Sequence, residues 1–173
     1  RSLAGNRQGR IVLKINEALR IEKGNAVAIV GAGGKTSLIF ALAEAAHKPV
    51  CLTTTTKLTR EEGLRINSHL MFSEFEIQAG LTCENAEINL VTNTLEDYSQ
   101  KWLGLSLSQA DTLISICKQQ EVTCLIEADG ARHLPLKAPT AWEPVIPEQV
   151  HLVIVVVGMS AIGTPLTGEY VFR

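Results

Sequence analysis

Apolar residues in this chain fall into two kinds of stretch. Short continuous runs rich in β-branched residues sit at Ala26-Val-Ala-Ile-Val30, Val50-Cys-Leu-Thr-Thr-Thr-Thr56, Val122-Thr-Cys-Leu-Ile126 and His151–Val157. Such runs, bounded by turn residues, read as buried strands. Between them lie stretches with helical periodicity. Leu38, Ile39, Leu42, Ala43 and Ala46 share one face of a helix expected from Lys35 to His47, which Pro49 stops. Ala110, Leu113, Ile114 and Cys117 form the stripe of a second helix from Ser108 to Gln120, with Ser108 as its cap and Asp111 three residues on. Strand, helix, strand and then helix, strand predict a three-layer α/β domain around a mostly parallel sheet. His151–Val157 is the most apolar of the runs, and reads as a central strand covered on both faces. The rest is less regular. Ile11–Leu19 fits a strand or a short helix, and Glu22–Asn25 is a turn. Leu70–Phe72 and Leu90–Thr92 are candidate short strands, Ser73–Gly80 fits one helical turn or two, and Lys101–Gly104 is a loop whose Trp102 could stack on a base, with packing the safer reading.

Composition narrows the class. With 173 residues, 46% hydrophobic content and a net charge of −2, the chain can build one domain with a real core, and lacks the bulk positive charge of a nucleic-acid-binding surface. No apolar run approaches a membrane span. The four cysteines, Cys51, Cys83, Cys117 and Cys124, form no C-x-x-C pair. They read as reduced packing thiols of a cytoplasmic protein, and zinc is not expected. The chain begins at Arg1 and stops at Val171-Phe-Arg173, which suggests a fragment of a longer protein.

The chemistry-bearing stretch is Gly31-Ala-Gly-Gly-Lys-Thr-Ser37, between the first strand and the first helix. Free N–H groups and the helix dipole converge at such a junction and attract anions. Gly31, Ala32, Gly33 and Gly34 allow the backbone to approach phosphates. Lys35 supplies a charge that reaches the terminal phosphates of a nucleotide, and the hydroxyl of Thr36, with Ser37 beside it, opens the helix where Mg²⁺ would sit. The standard spacing G-x-x-x-x-G-K-S/T requires a glycine where Ile29 stands, so this is a shortened P-loop. The dinucleotide pattern G-x-G-x-x-G fits less well. Its third glycine position is Thr36, and the following strand carries no acid for a ribose.

Other candidates lie at strand ends, where parallel sheets bind ligands. The threonines Thr53–Thr56 close the second strand, and Thr54 or Thr56 could meet Mg²⁺ or a phosphate, with Lys57 adding charge. Glu127 and Asp129 follow the third strand two residues apart, so both point to one side and can bind metal or act in catalysis with Lys35. Arg132, His133 and Lys137 lie in a proline-punctuated loop that could receive an anionic substrate. Gly158–Gly163 leaves the last strand on the same side. No Asn-Lys-x-Asp follows it, which argues against an ordinary guanine-specific GTPase.

Val30–Ser37, Thr53–Lys57, Glu127–Ala131, Pro135–Pro139, Glu143–Pro147 and Val157-Gly158 together resemble the YqeC family, in the same order from about residue 13 to 173. The resemblance implies a P-loop nucleotide-binding protein that helps to mature selenium-dependent molybdenum hydroxylases, with the molybdenum cofactor or the hydroxylase as partner. The expected function is binding of ATP, GTP or CTP with Mg²⁺, followed by hydrolysis or by phosphoryl or nucleotidyl transfer. A non-catalytic, nucleotide-gated cofactor carrier is the alternative, and an NAD(P)-binding reductase a more distant one.

Overall fold

A computed structural model describes residues 14–59, 66, 68–73, 77, 87–96 and 101–172. In chain order these form α1 (Ile15–Ala18), β1 (Ala26–Gly31), α2 (Lys35–Ala45), β2 (Val50–Thr54), β3 (Leu58–Thr59), β4 (Ser68–Met71), β5 (Ile88–Thr92), β6 (Leu95–Glu96), β7 (Lys101–Trp102), α3 (Leu107–Gln119), β8 (Thr123–Glu127), β9 (Leu136–Lys137), β10 (Leu152–Val156) and β11 (Val171–Phe172). Six strands make one sheet in the order β10-β1-β8-β2-β5-β4. Every pairing in it is parallel.

Alternate residues of the central strands face opposite layers. Val27 and Ile29 point with Val50 and Leu52 toward Leu42 and Ala43 of α2. Ala26, Ala28 and Val30 point the other way, with Cys51 and Ile126, toward Leu113, Ile114 and Cys117 of α3. Both faces of β1, β8 and β2 are therefore dry, which is why those strands read as unbroken apolar runs. Two short accessory sheets flank this core, one antiparallel (β3-β7-β6) and one parallel pair (β11-β9).

Four expectations shift. The most apolar run, His151–Val157, forms β10 at an edge of the described sheet, not its centre. Val155 is 69% exposed and Val157 53%. Apolarity reports a preference for burial; it does not say how many neighbours a strand has. The second helix is capped by Ser106, not Ser108. The Ser106 hydroxyl accepts from Gln109 N and the Gln109 side chain accepts from Ser106 N, a capping box two residues before the Ser108–Asp111 pair. Lys101–Trp102 is a strand, and Trp102 packs edge-on against His69 at 4.3 Å between ring centres. The strand expected to run to Thr56 ends at Thr54. The segment Ile11–Leu19 resolves in favour of a helix at Ile15–Ala18. Residues 1–13, Cys83 and most of Ser73–Gly80 lie outside the described residues; Ile77, which is described, is helical.

The three described cysteines are free and lie together in the core. Cys51 and Cys124 are register partners on β2 and β8, and Cys117 of α3 meets them; their Sγ atoms all lie within 4.8 Å of one another. All three are fully buried.

Candidate phosphate-binding site

Strand order builds the site. The β1–α2 loop leaves β1, the acids follow β8, and the threonines close β2. Because β8 is inserted between β1 and β2, these three carboxyl ends are neighbours. Register aligns them: Ile29 opposes Glu127, and Thr54 opposes Glu127 from the other side.

The loop is shaped by glycines. Gly33 has φ +69°, and a Cβ there would stand 2.5 Å from Cα of Gly158, so the loop lies directly on the turn that follows β10. Gly34, the N-cap of α2, has φ +115° and open space around its Cα. An L side chain is strained at either conformation. Ala32 N donates to Val156 O at 2.8 Å, fastening the loop to β10.

Lys35 is the centre of charge. Its side chain is only 6% exposed, and Nζ donates to Gly31 O at 2.8 Å. The same nitrogen lies 3.6 Å from Glu127 Oε1 and 3.4 Å from Asp129 Oδ1. The two acids differ in setting. Glu127 lines a cavity of about 870 Å³ together with Gly33, Gly34, Thr36, Ser37, Thr54 and Thr56. Asp129 is 2% exposed and is not part of that lining; its Oδ2 accepts from Gly31 N at 3.0 Å, tying the acid loop to the start of the glycine loop. Asp129 Oδ1 is buried and has no hydrogen bond among the described residues.

The threonine run divides in the same way. Thr53 Oγ1 donates to Val91 O at 2.7 Å, and Thr55 Oγ1 donates to Val145 O at 2.8 Å, so both hydroxyls hold neighbouring backbone. Thr54 Oγ1 donates to Glu127 O at 3.0 Å and accepts from Thr56 N at 3.0 Å. Thr54 and Thr56 line the cavity. Lys57 is at its rim, where it pairs with Glu96 at 2.7 Å.

The basic loop splits. Arg132 and His133 are exposed on the cavity wall, with φ of 46° and 63°, and the Arg132 guanidinium lies 5.3 Å from the centre of the Phe172 ring. Two consecutive non-glycine residues in the left-handed region mark a backbone held by its surroundings. Lys137 leaves the group of anion-receiving candidates. Its side chain is 1% exposed, donates to Gly130 O at 2.8 Å, and pairs with Asp129 at 3.4 Å and Glu143 at 3.2 Å.

The fold gathers the candidates Gly31 to Ser37, Thr54, Glu127 and Asp129 at one end of the sheet. Sequence reasoning missed Lys101, which also lines the cavity from β7, and the packing of Gly158 under Gly33. Only the glycine at position 158, after a strand that should end at the site, hinted at the second.

A profile described as YqeC protein matches residues 27–173. A protein of Escherichia coli strain K12, described as uncharacterized protein YqeC, is 34% identical over 152 residues, which cover 85% of this chain and 57% of that relative. The chain thus spans little more than half the length of the relative it matches. No solved structure matches. Among the described residues no helix is long and apolar enough to cross a membrane.

Proposed function

The chain belongs to the YqeC family, and from that footing we propose that its glycine loop binds a nucleoside triphosphate with Mg²⁺ and supports phosphoryl or nucleotidyl transfer. The observation that carries this reading is the setting of Lys35. A buried ammonium donates to the first carbonyl of a glycine loop and faces two carboxylates, at the junction of three parallel strand ends. A lysine held against its own loop by one carbonyl is poised to turn to phosphate oxygens.

The donor set fits the group. The N–H groups from Gly33 to Ser37 are the phosphate donors, at the head of the 11-residue helix α2. Thr36 and Glu127, a hydroxyl and a carboxylate that both line the cavity, are the Mg²⁺ ligands; hard oxygen donors of this kind suit that ion. Thr54 assists from β2. Asp129, already accepting from Gly31 N, positions the loop and Lys35 and does not bind metal. Mg²⁺ held there would neutralise phosphate charge. Arg132, which also lines the cavity, adds positive charge where the acceptor would lie, and His133 stands beside it. The family resemblance supplies the setting, maturation of selenium-dependent molybdenum hydroxylases.

The test is a thermal-shift panel of ATP, GTP and CTP, each with and without Mg²⁺. A ligand at 100 times its dissociation constant stabilises the fold by about 2.7 kcal/mol. One triphosphate should shift the wild type in a Mg²⁺-dependent way and should leave folded Lys35→Ala unshifted. Equal shifts in the two proteins, or none in either, would overturn the reading.

A further inference from the structure

The thiol cluster lies on the α3 face of the sheet and plays no part in the nucleotide reading. It gathers three of the chain's four cysteines. They come from three separate elements: β2, α3 and β8. Cys51 and Cys124 are register partners on adjacent parallel strands, so their side chains leave the same face side by side, and Cys117 descends on them from the helix. A single buried cysteine is an ordinary small apolar residue. Three whose sulfur atoms all lie within 4.8 Å of one another form a donor set.

The donor set has a defined character. Three sulfurs arranged in a plane about a central ion, each about 2.3 Å from it, stand about 4.0 Å apart. The separations in this protein reach that arrangement with movements of under about 1 Å, well within side-chain rotation. Structural zinc takes four ligands. Among the described residues no fourth cysteine, histidine or carboxylate joins the cluster. Its surroundings, which include Ala28, Val91, Ile114 and Ile126, are apolar and buried, so water is a poor fourth ligand. Three thiolates in a dry pocket select a soft ion that accepts threefold coordination.

We propose that Cys51, Cys117 and Cys124 form a three-coordinate thiolate site for a soft, thiophilic cation of the Cu(I) type. Each ligating thiol releases its proton to solvent as the metal–sulfur bond forms, and no electron is transferred. The cysteines are wholly buried, so the metal enters while the chain folds or as α3 opens from the sheet. The site is independent of the nucleotide reading. The cysteine pair precedes the Thr54–Glu127 pair by three residues on the same two strands, or about 10 Å along the sheet.

The experiment is anaerobic refolding of the chain with Cu(I) alone, followed by challenge with a Cu(I) chelator and by X-ray absorption at the copper edge. One retained equivalent is expected, with a shell of three sulfurs and no nitrogen or oxygen. Cys83→Ser should retain it. Cys117→Ala, verified as folded by circular dichroism, should lose affinity by more than about 100-fold, beyond the effect of losing an outer-sphere partner. Failure of the wild type to retain copper, a shell with fewer than three sulfurs, or equal retention by Cys117→Ala would overturn the assignment. The absorption measurement on the wild type decides even where a variant does not fold.

Discussion

Lys35 and Lys137 lie at the same distance from the same carboxylate, and they do different work. Lys35 Nζ is 3.4 Å from Asp129 Oδ1, and Lys137 Nζ is 3.4 Å from Asp129 Oδ2. Lys35 heads a helix at the wall of the cavity, beside Glu127, which lines that cavity too. Lys137 has no share in that wall. Its partners are Gly130 O, Asp129 and Glu143, all on or near its own loop. One region is charge arranged around a space, and the other is charge neutralised within the fold. A buried lysine is therefore a functional candidate only when some of what it faces is open to a ligand, and burial alone does not make the distinction.

The largest expected effect comes from removing the closed half. Lys137→Ala takes a 1% exposed cation from between Asp129 and Glu143, and although Asp129 keeps Lys35 it should cost about 3 kcal/mol in urea unfolding, the low end for breaking a buried pair. Lys35→Ala should cost less in the same assay, because Lys35 and its partner Glu127 border the open cavity, where water can reach the acids left behind, whereas Lys137 is closed in at 1% exposure. If Lys35→Ala proves the more destabilising, the two regions are not distinct in the way described.

Asp129→Asn acts on both regions at once. It keeps an acceptor for Gly31 N and removes the charge between the two lysines. A loss of about 1.5–3 kcal/mol is expected, the scale of a hydrogen bond to a charged group, together with a weaker nucleotide-induced thermal shift. A stability loss with the full nucleotide shift retained would confine Asp129 to the closed region.

Gly33→Ala sharpens the open side. The added methyl meets the Gly158 backbone and the left-handed conformation is strained. About 1–3 kcal/mol should be lost. The nucleotide shift should fall as the loop moves away from the turn after β10. An unchanged melting temperature and an unchanged shift would show that the packing of the two turns is dispensable.

The smallest effect lies away from both lysines. His69 is packed against Trp102, its Nε2 is 2.8 Å from Thr92 Oγ1, and burial lowers its pKa below the ordinary 6.5. The unfolded chain then binds a proton that the folded one resists. Stability should decline as the pH drops below 6.5 and level off below the folded-state pKa. Urea midpoints at several pH values should show a small decline in the wild type and less of it in His69→Gln. An identical decline in the two proteins would remove His69 as its source.

What the sequence by itself determined is local. The runs at Ala26, Val50 and Val122 are strands because continuous β-branched and apolar residues bury both faces of a strand. Leu107–Gln119 is a helix because its apolar positions recur with the helical period, and Lys35–Ala45 is one because it is rich in good helix formers such as Ala and Leu. Gly31 to Ser37 is a loop ending at a helix start because its glycines and its Lys-Thr pair are adjacent in the chain. What only the tertiary structure decided is which distant residues meet. The insertion of β8 between β1 and β2 brings Glu127 beside both Ile29 and Thr54 and lets Asp129 reach Gly31 N, 98 positions away. The same insertion makes Cys51 and Cys124 neighbours. It also leaves the most apolar run, β10, beyond β1 at the sheet's edge. Periodicity records how a residue relates to its own element. Strand order is a contest between alternative pairings of similar apolar runs, and the packing of the whole core settles it.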